Sequence, residues 1–318
     1  MLKKLFATVL MTFSAAAFAV PFGSQSVLVV EDDTGKILLE KNADAVVPIA
    51  SLTKLMTAMV VLDAKQDMDE QIEIDRDDVD RVKFSSSRVP VGANIARRDV
   101  LHLALMSSDN RAAAALARTY PGGKEAFKAA VRRKTQALGM QHTVIEEPTG
   151  LSPHNRSTAS DLVKMASAST HYPEIVRMTT ETNQVFDING RDVQYRNTNR
   201  LVGAKGWDVG LSKTGFTNEA GRCLIMNIKA AGKNATLVLL NAGASSARVM
   251  DALNIRRFIS GDEPAARVAR AATGGPRIKA SAGRASAKAS TRVKSGAKAK
   301  AVKNRKQAKV KTTRKRRD

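Results

Sequence analysis

The chain has 318 residues, enough for one large core or two smaller ones, and 43% hydrophobic content allows an ordinary globular fold. A single cysteine, Cys223, rules out an intramolecular disulfide, and His102, His142, His154 and His171 show no spacing that would hold a metal, so neither metal nor cofactor is expected. The formal charge of +22 is unevenly placed: from Pro264 onward nineteen Lys or Arg stand against one acid, Asp318, so the basicity belongs to an appendage and not to the body.

The first residues read as an export signal. Lys3 and Lys4 precede an apolar run from Leu5 to Phe18, and the small-residue pattern Ala17-Phe18-Ala19 predicts cleavage after Ala19. The run is shorter than the ~20 residues that span a bilayer, and no later segment is apolar enough, so no transmembrane anchor is expected. Val27–Val30 and Lys36–Leu39, separated by Asp32-Asp33-Thr34-Gly35, predict a hairpin. Pro48-Ile49-Ala50 then leads into Ser51, with Leu52, Leu55, Met56, Met59 and Val60 at helical spacing, so Ser51 should open a buried helix. Arg97–Thr119 is helical in pattern but interrupted by Ser107-Ser108-Asp109-Asn110, and further helices are predicted over Gly123–Leu138 and Thr158–Ala168.

The last third alternates as strands do: Gln184–Tyr195 around an Asn189-Gly190 turn, Gly210–Phe216, Arg222–Ala230 and Ala235–Asn241, closed by a helix over Ser245–Ile259. Cys223 falls in an apolar strand run and reads as an inert core residue. Strands at both ends with helices between predict an α/β (α+β) fold: one antiparallel sheet built from both chain ends and flanked by helices, with a helical lobe inserted and a cleft between lobes. The expected organisation is a signal over 1–19, one domain over 20–263 and a disordered Lys/Arg-rich tail over 264–318, whose Ala/Lys/Arg/Ser/Gly repetition cannot bury enough apolar surface to fold.

Three short motifs stand in order along this frame: Ser51-Leu52-Thr53-Lys54, Ser108-Asp109-Asn110 and Lys213-Thr214-Gly215. Singly they mean little, since the tail holds decoys of two of them in Ser295-Gly296-Ala297-Lys298 and Lys294-Ser295-Gly296, and Ser51 and Asp109 are also ordinary helix N-caps. Their joint order and surroundings point to serine acyl-transfer. A serine hydroxyl attacks only when a base takes its proton, and Lys54, three residues on along a helix, lies on the same face. Its amine must fall from about 10.4 to about 7 to serve, through burial or a second cation such as Lys213. The Ser51 backbone N–H, free at a helix start, and that of Phe216 on the late strand are expected to hold the oxyanion. Ser108 is placed to relay a proton to the leaving amine, and Asn110 to offer a donor and an acceptor to the substrate amide. Lys213 and Thr214 suit a carboxylate, and Gly215 suits close approach of a substrate backbone added as a strand.

With these residues in hand, the chain resembles the D-alanyl-D-alanine carboxypeptidase family of penicillin-recognising serine enzymes, in its penicillin-binding protein 7 type, the D-alanyl-D-alanine endopeptidases. The resemblance runs from about Ser26 to Ile259. It rests on Pro48–Thr57, Leu105–Asn110, Thr149-Gly150-Leu151-Ser152 with Asn155, Ser157–Leu162 and Lys213-Thr214-Gly215-Phe216-Thr217. It implies a penicillin-binding-protein/β-lactamase-like fold, acylation of Ser51 with Lys54 as base, and completion of the site by Ser108, Asn110, Lys213, Thr214 and Gly215, with Thr217 and Arg222 assisting at the carboxylate. It further implies a periplasmic enzyme that cuts the D-alanyl–diaminopimelate cross-links of peptidoglycan and is blocked covalently by β-lactam antibiotics. The family's larger carboxypeptidases carry a second β-rich domain and a membrane helix, for which nothing after Ile259 is suited, and Phe216 stands where many have histidine.

Three other readings compete. A D-Ala-D-Ala carboxypeptidase would use the same groups. A class A β-lactamase would need a glutamate to activate the deacylating water, and Glu147 lacks the asparagine expected four positions later, where Leu151 stands. A polyanion-binding protein would act through its tail, but an exported chain seldom meets nucleic acid and the tail lacks stacking aromatics, so no nucleic-acid partner is expected. Anionic envelope surfaces are the expected partners of the tail.

Overall fold

A computed structural model describes residues 22–262. The expected leader, 1–19, and the basic tail, 264–318, lie outside the described residues. The described residues all belong to one compact unit.

The N-terminal hairpin forms as its sequence predicts, from β1 (Ser26–Glu31) and β2 (Ile37–Lys41), with Val29 opposite Leu39. A two-residue strand β3 (Val47–Pro48) leads into a 3-10 turn over Ala50–Leu52, and α1 (Thr53–Asp63) follows. Every residue of α1 from Thr53 to Val61 is buried, which makes it the central helix of the inserted lobe. Next come the short pair β4 (Gln71–Glu73) and β5 (Asn94–Ala96), which the sequence did not suggest. Helices α2 (Arg97–Met106) and α3 (Asn110–Arg118) are broken where the sequence predicts, at Ser107–Asp109. Asp109 caps α3, its carboxylate accepting from Ala112 N at 3.0 Å.

Helix α4 (Gly123–Ala137), strand β6 (Arg156–Ser157, paired with β3), α5 (Ala159–Ser169) and α6 (Pro173–Thr180) complete the lobe. The last of these is an addition to the expected elements, started by Pro173 at its first position. The hairpin β7 (Asn183–Asp187) and β8 (Asp192–Arg196) forms a separate two-stranded sheet and does not join the main one. Its Asn189 and Gly190 both take positive φ, 55° and 74°, as a tight two-residue hairpin turn requires. Buried Phe186 and Tyr195 tie this hairpin to His102 of α2, ring edge against ring face.

Strands β9 (Asp208–Thr217), β10 (Gly221–Ala230) and β11 (Lys233–Ala242) then build the main sheet, and α7 (Ser245–Ile259) closes the chain. The sheet runs β2-β1-β11-β10-β9, antiparallel throughout, with Ser26 opposite Leu240, so both chain ends meet at its centre as expected. Because side chains alternate, one face sends Val27, Val29, Leu224, Met226, Leu237 and Leu239 against Ala252, Ile255 and Ile259 of α7. The other face sends Leu28, Ile225, Val238 and Leu240 into the larger core shared with the lobe. Strand β9 is thereby an edge strand, and the turn bearing Ser51 packs on its face at Gly215.

Candidate active site

Ser51 sits in the 3-10 turn and not in α1 itself, but the spacing argument survives: Lys54 Nζ is 2.9 Å from Ser51 Oγ. The turn is entered through Ala50 at φ 48°, a left-handed conformation that a non-glycine residue adopts only when its surroundings hold it there. Two glycines supply that hold. A Cβ on Gly150, itself at φ +85°, would stand 1.9 Å from the Ala50 carbonyl oxygen, and one on Gly215 would stand 3.1 Å from Ile49 O and from Ser51 N. The bare side of Gly215 packs β9 against the Ser51 turn.

Lys54 is 1% exposed and donates to three acceptors: Ser51 Oγ, Asn110 Oδ1 at 2.7 Å and the Thr149 carbonyl at 2.7 Å. Burial pushes its ammonium down to about 8, against the pull of Glu147 and Asp109. Lys213, 1% exposed, donates to Ser108 Oγ at 2.8 Å and to its neighbour Thr214 O at 2.9 Å. Burial, then the Lys54 charge, then Arg248 hold Lys213 well below the usual lysine range. The Lys54 charge thus disfavours a proton on Lys213, whereas the fall at Lys54 comes from burial, so the influence runs opposite to the one the sequence suggested. If neutral Lys54 is the base, acylation of Ser51 should rise about tenfold per pH unit below pH 8 and level off above it. Stopped-flow acylation by a penicillin between pH 5.5 and 9.5 checks this, and a flat profile from 6 to 9 would count against Lys54 as the base.

Ser108 reaches Lys213 from a strained backbone at φ 59°, between α2 and α3. Asn110 departs from expectation: its Oδ1 accepts from Lys54 and its Nδ2 donates to Ser85 Oγ at 2.8 Å, so both ends of the amide are occupied within the protein. Thr214 Oγ1 donates to Thr198 Oγ1 at 2.6 Å, on the loop that follows β8. Thr217 is 8% exposed and its hydroxyl accepts from Ala220 N in the β9–β10 turn. Phe216 is 47% exposed on the edge strand, and the Arg222 guanidinium lies over its ring at 3.6 Å. Ser85, Thr198 and the Thr149 carbonyl were not singled out from the sequence. Only the run Thr149-Gly150-Leu151 carried a signal, and it carried no role for the carbonyl.

Glu147 is held within its own loop. Its carboxylate accepts from Thr149 N, Thr149 Oγ1, Gly150 N, Ser152 N and Asn155 Nδ2, which locks the loop whose Thr149 carbonyl meets Lys54. This is the structural role expected for it. Cys223 is wholly buried, with burial pushing its thiol up to about 11, an unreactive setting.

A family model described as D-alanyl-D-alanine carboxypeptidase matches residues 12–244. A D-alanyl-D-alanine endopeptidase of Pseudomonas aeruginosa is 49% identical over 238 residues, 74% of this chain and 77% of the relative. Another of that name, from Escherichia coli, is 45% identical over the same shares. Among solved structures, penicillin-binding protein D2 of Listeria monocytogenes with ampicillin bound superposes with a TM-score of 0.65 at 29% identity, covering 76% of this chain and 98% of that one.

Proposed function

Because the chain belongs to the D-alanyl-D-alanine carboxypeptidase family, we propose that it is a serine-type D-Ala-D-Ala endopeptidase that hydrolyses peptidoglycan cross-links through an acyl-enzyme on Ser51. The observation that carries this reading is the Ser51–Lys54–Asn110 network facing the Ser108–Lys213 pair across the edge strand β9. Neutral Lys54 takes the Ser51 proton as Oγ attacks the D-alanyl carbonyl. The N–H groups of Ser51 and Phe216 receive the oxyanion, and the proton passes from Lys54 by way of the Ser108 hydroxyl, which gives one proton as it takes another, to the leaving amine, so that Lys54 is neutral again. Lys213 and Thr214 anchor the carboxylate beside the cleaved bond. Water then attacks the ester, with Lys54 again taking the proton. The relative held with ampicillin supports the same serine as the target of β-lactams.

Purified cross-linked muropeptides test the reading directly, since conversion of dimer to monomer and loss of terminal D-alanine are separately visible. Dimer conversion is expected, and its absence while terminal D-alanine is lost would make the enzyme a carboxypeptidase. The signal-like start favours export to the periplasm. The tail's nineteen basic residues suit attachment to anionic envelope surfaces, an attraction that salt should weaken. Truncation after Gly261 should lower envelope retention at low salt while muropeptide cleavage in solution persists, and equal retention of both forms would remove the idea.

A further inference from the structure

The mechanism leaves one part of the cleft unused. On the Ser108 side of Ser51, where the leaving amine departs, lies a hollow of about 550 Å³ lined among others by Ser87, Arg88, Ser107, Gln194, Tyr195 and Arg196. Its floor is Tyr195, 2% exposed, and the exposed Arg88 covers that ring with its guanidinium carbon 3.8 Å from the ring centre. An aromatic face beneath a guanidinium fixes its plane and leaves the N–H rim free, which suits two-point contact with a carboxylate.

Charge points the same way. Among the described residues no acidic side chain stands within ion-pair distance of Arg88 or Arg196, whereas Arg97, Arg98, Arg118 and Arg177 are paired with Glu70, Asp69, Asp78 and Glu181. The carboxylate that does line the hollow, Asp109, is engaged at both oxygens, by Ala112 N and by Ser87 Oγ. Two arginines without acidic partners therefore face the route of the leaving group.

We propose that Arg88, with Arg196 in the same lining, binds a carboxylate of the leaving peptide strand and so favours cross-links over terminal D-Ala-D-Ala; the inference rests on the cross-link reading of this site. A terminal D-alanine leaves as a single amino acid whose carboxylate is already held at Lys213. The leaving strand of a cross-link continues past Ser108 and carries further carboxylates into the hollow. Arg88 is thus a specificity residue, contacting substrate away from the reacting atoms.

The experiment compares wild type, Arg88→Ala and Arg88→Lys on a cross-linked muropeptide dimer, on the same dimer with its remaining leaving-strand carboxylates amidated, and on a penicillin. In Arg88→Ala the ratio of dimer kcat/KM to penicillin acylation rate should fall about tenfold, mainly through KM, the loss expected for one charge-assisted contact. Amidation should lower wild type by a similar factor and leave Arg88→Ala where it is, with Arg88→Lys between. A parallel fall on dimer and penicillin would overturn the proposal, because it would place the effect in the Ser85–Ser87 segment that holds Asn110 and Asp109. A dimer-to-penicillin ratio within twofold of wild type, or an amidation effect that persists in Arg88→Ala, would overturn it as well. Wild type that accepts penicillin but leaves the dimer intact would sink the cross-link reading itself, and this inference with it.

Discussion

Ser51→Ala should lose both muropeptide cleavage and the covalent penicillin adduct, a drop on the order of 10⁶ in turnover, the scale of removing a serine nucleophile. The expectation comes from geometry: Lys54 Nζ is 2.9 Å from Ser51 Oγ, and no other described hydroxyl bonds to that amine. Lys54→Ala should cost less, roughly 10²–10⁴, since general-base assistance is removed while the serine and its oxyanion donors remain. Intact-protein mass spectrometry after incubation with a penicillin reads both variants, with thermal unfolding as a check on folding. An adduct of normal yield on Ser51→Ala would show that acylation occurs elsewhere. A Lys54→Ala variant acylating at the wild-type rate would free Lys54 from the role of base.

Gly150→Ala is the second large effect, and it acts without touching a reacting atom. A methyl group there would stand 1.9 Å from the Ala50 carbonyl oxygen and 2.7 Å from Ser51 N, both backbone atoms that cannot swing aside. The positive φ of +85° adds strain of its own, more than about 1 kcal/mol. Displacing the Ser51 turn by as little as about 1 Å costs on the order of a hundredfold in rate. Penicillin acylation should therefore fall at least that far, and denaturant unfolding should show a clear loss of stability. Gly139→Ala is the control: φ is +63° but nothing lies within 4 Å, so it should show the strain alone and acylate normally. If Gly150→Ala acylates like Gly139→Ala, the contact does not position Ser51.

The elements that could be read from sequence were those whose own period decides them. The apolar alternation of Val27–Val30 and Ala235–Asn241 marks strands, and their places at opposite ends of the chain announce a sheet closed by both. Helix α1 was legible from Leu52, Leu55, Met56 and Met59, although its first turn tightens into a 3-10 geometry that periodicity cannot register. Less legible were β4, β5 and α6, which are short and gain definition from packing and ion pairs such as Arg118 with Asp78 and Arg97 with Glu70. The hairpin around Asn189-Gly190 was recognised, but its place apart from the main sheet goes with the contact of Phe186 with His102 of α2, which no period announces.

In the site, the motif residues Ser51, Lys54, Ser108, Asn110 and Lys213 come together as their order suggested. Their partners did not announce themselves. Thr149 contributes a backbone carbonyl, which has no sequence signature, and Ser85 and Thr198 lie in loops rich in the same residue types. Gly215 and Thr217 sat within the motif region, but the packing of one on the Ser51 turn and the turn hydrogen bond of the other are details that only neighbouring atoms reveal.

The pairing of Ser26 with Leu240 also bears on when the enzyme becomes active. A chain made from its N-terminus supplies Ser51 and Lys54 early, but Lys213, Gly215 and the whole of β9 follow some 160 residues behind. Until β9, β10 and β11 have arrived, β1 has no central partner and the Ser51 turn lacks the strand that braces it. Partly delivered chains are thus inert toward both wall and antibiotic. Penicillin capture becomes a chemical timestamp for completed assembly, and the latent period before it appears measures how long the two ends of the polypeptide take to find each other.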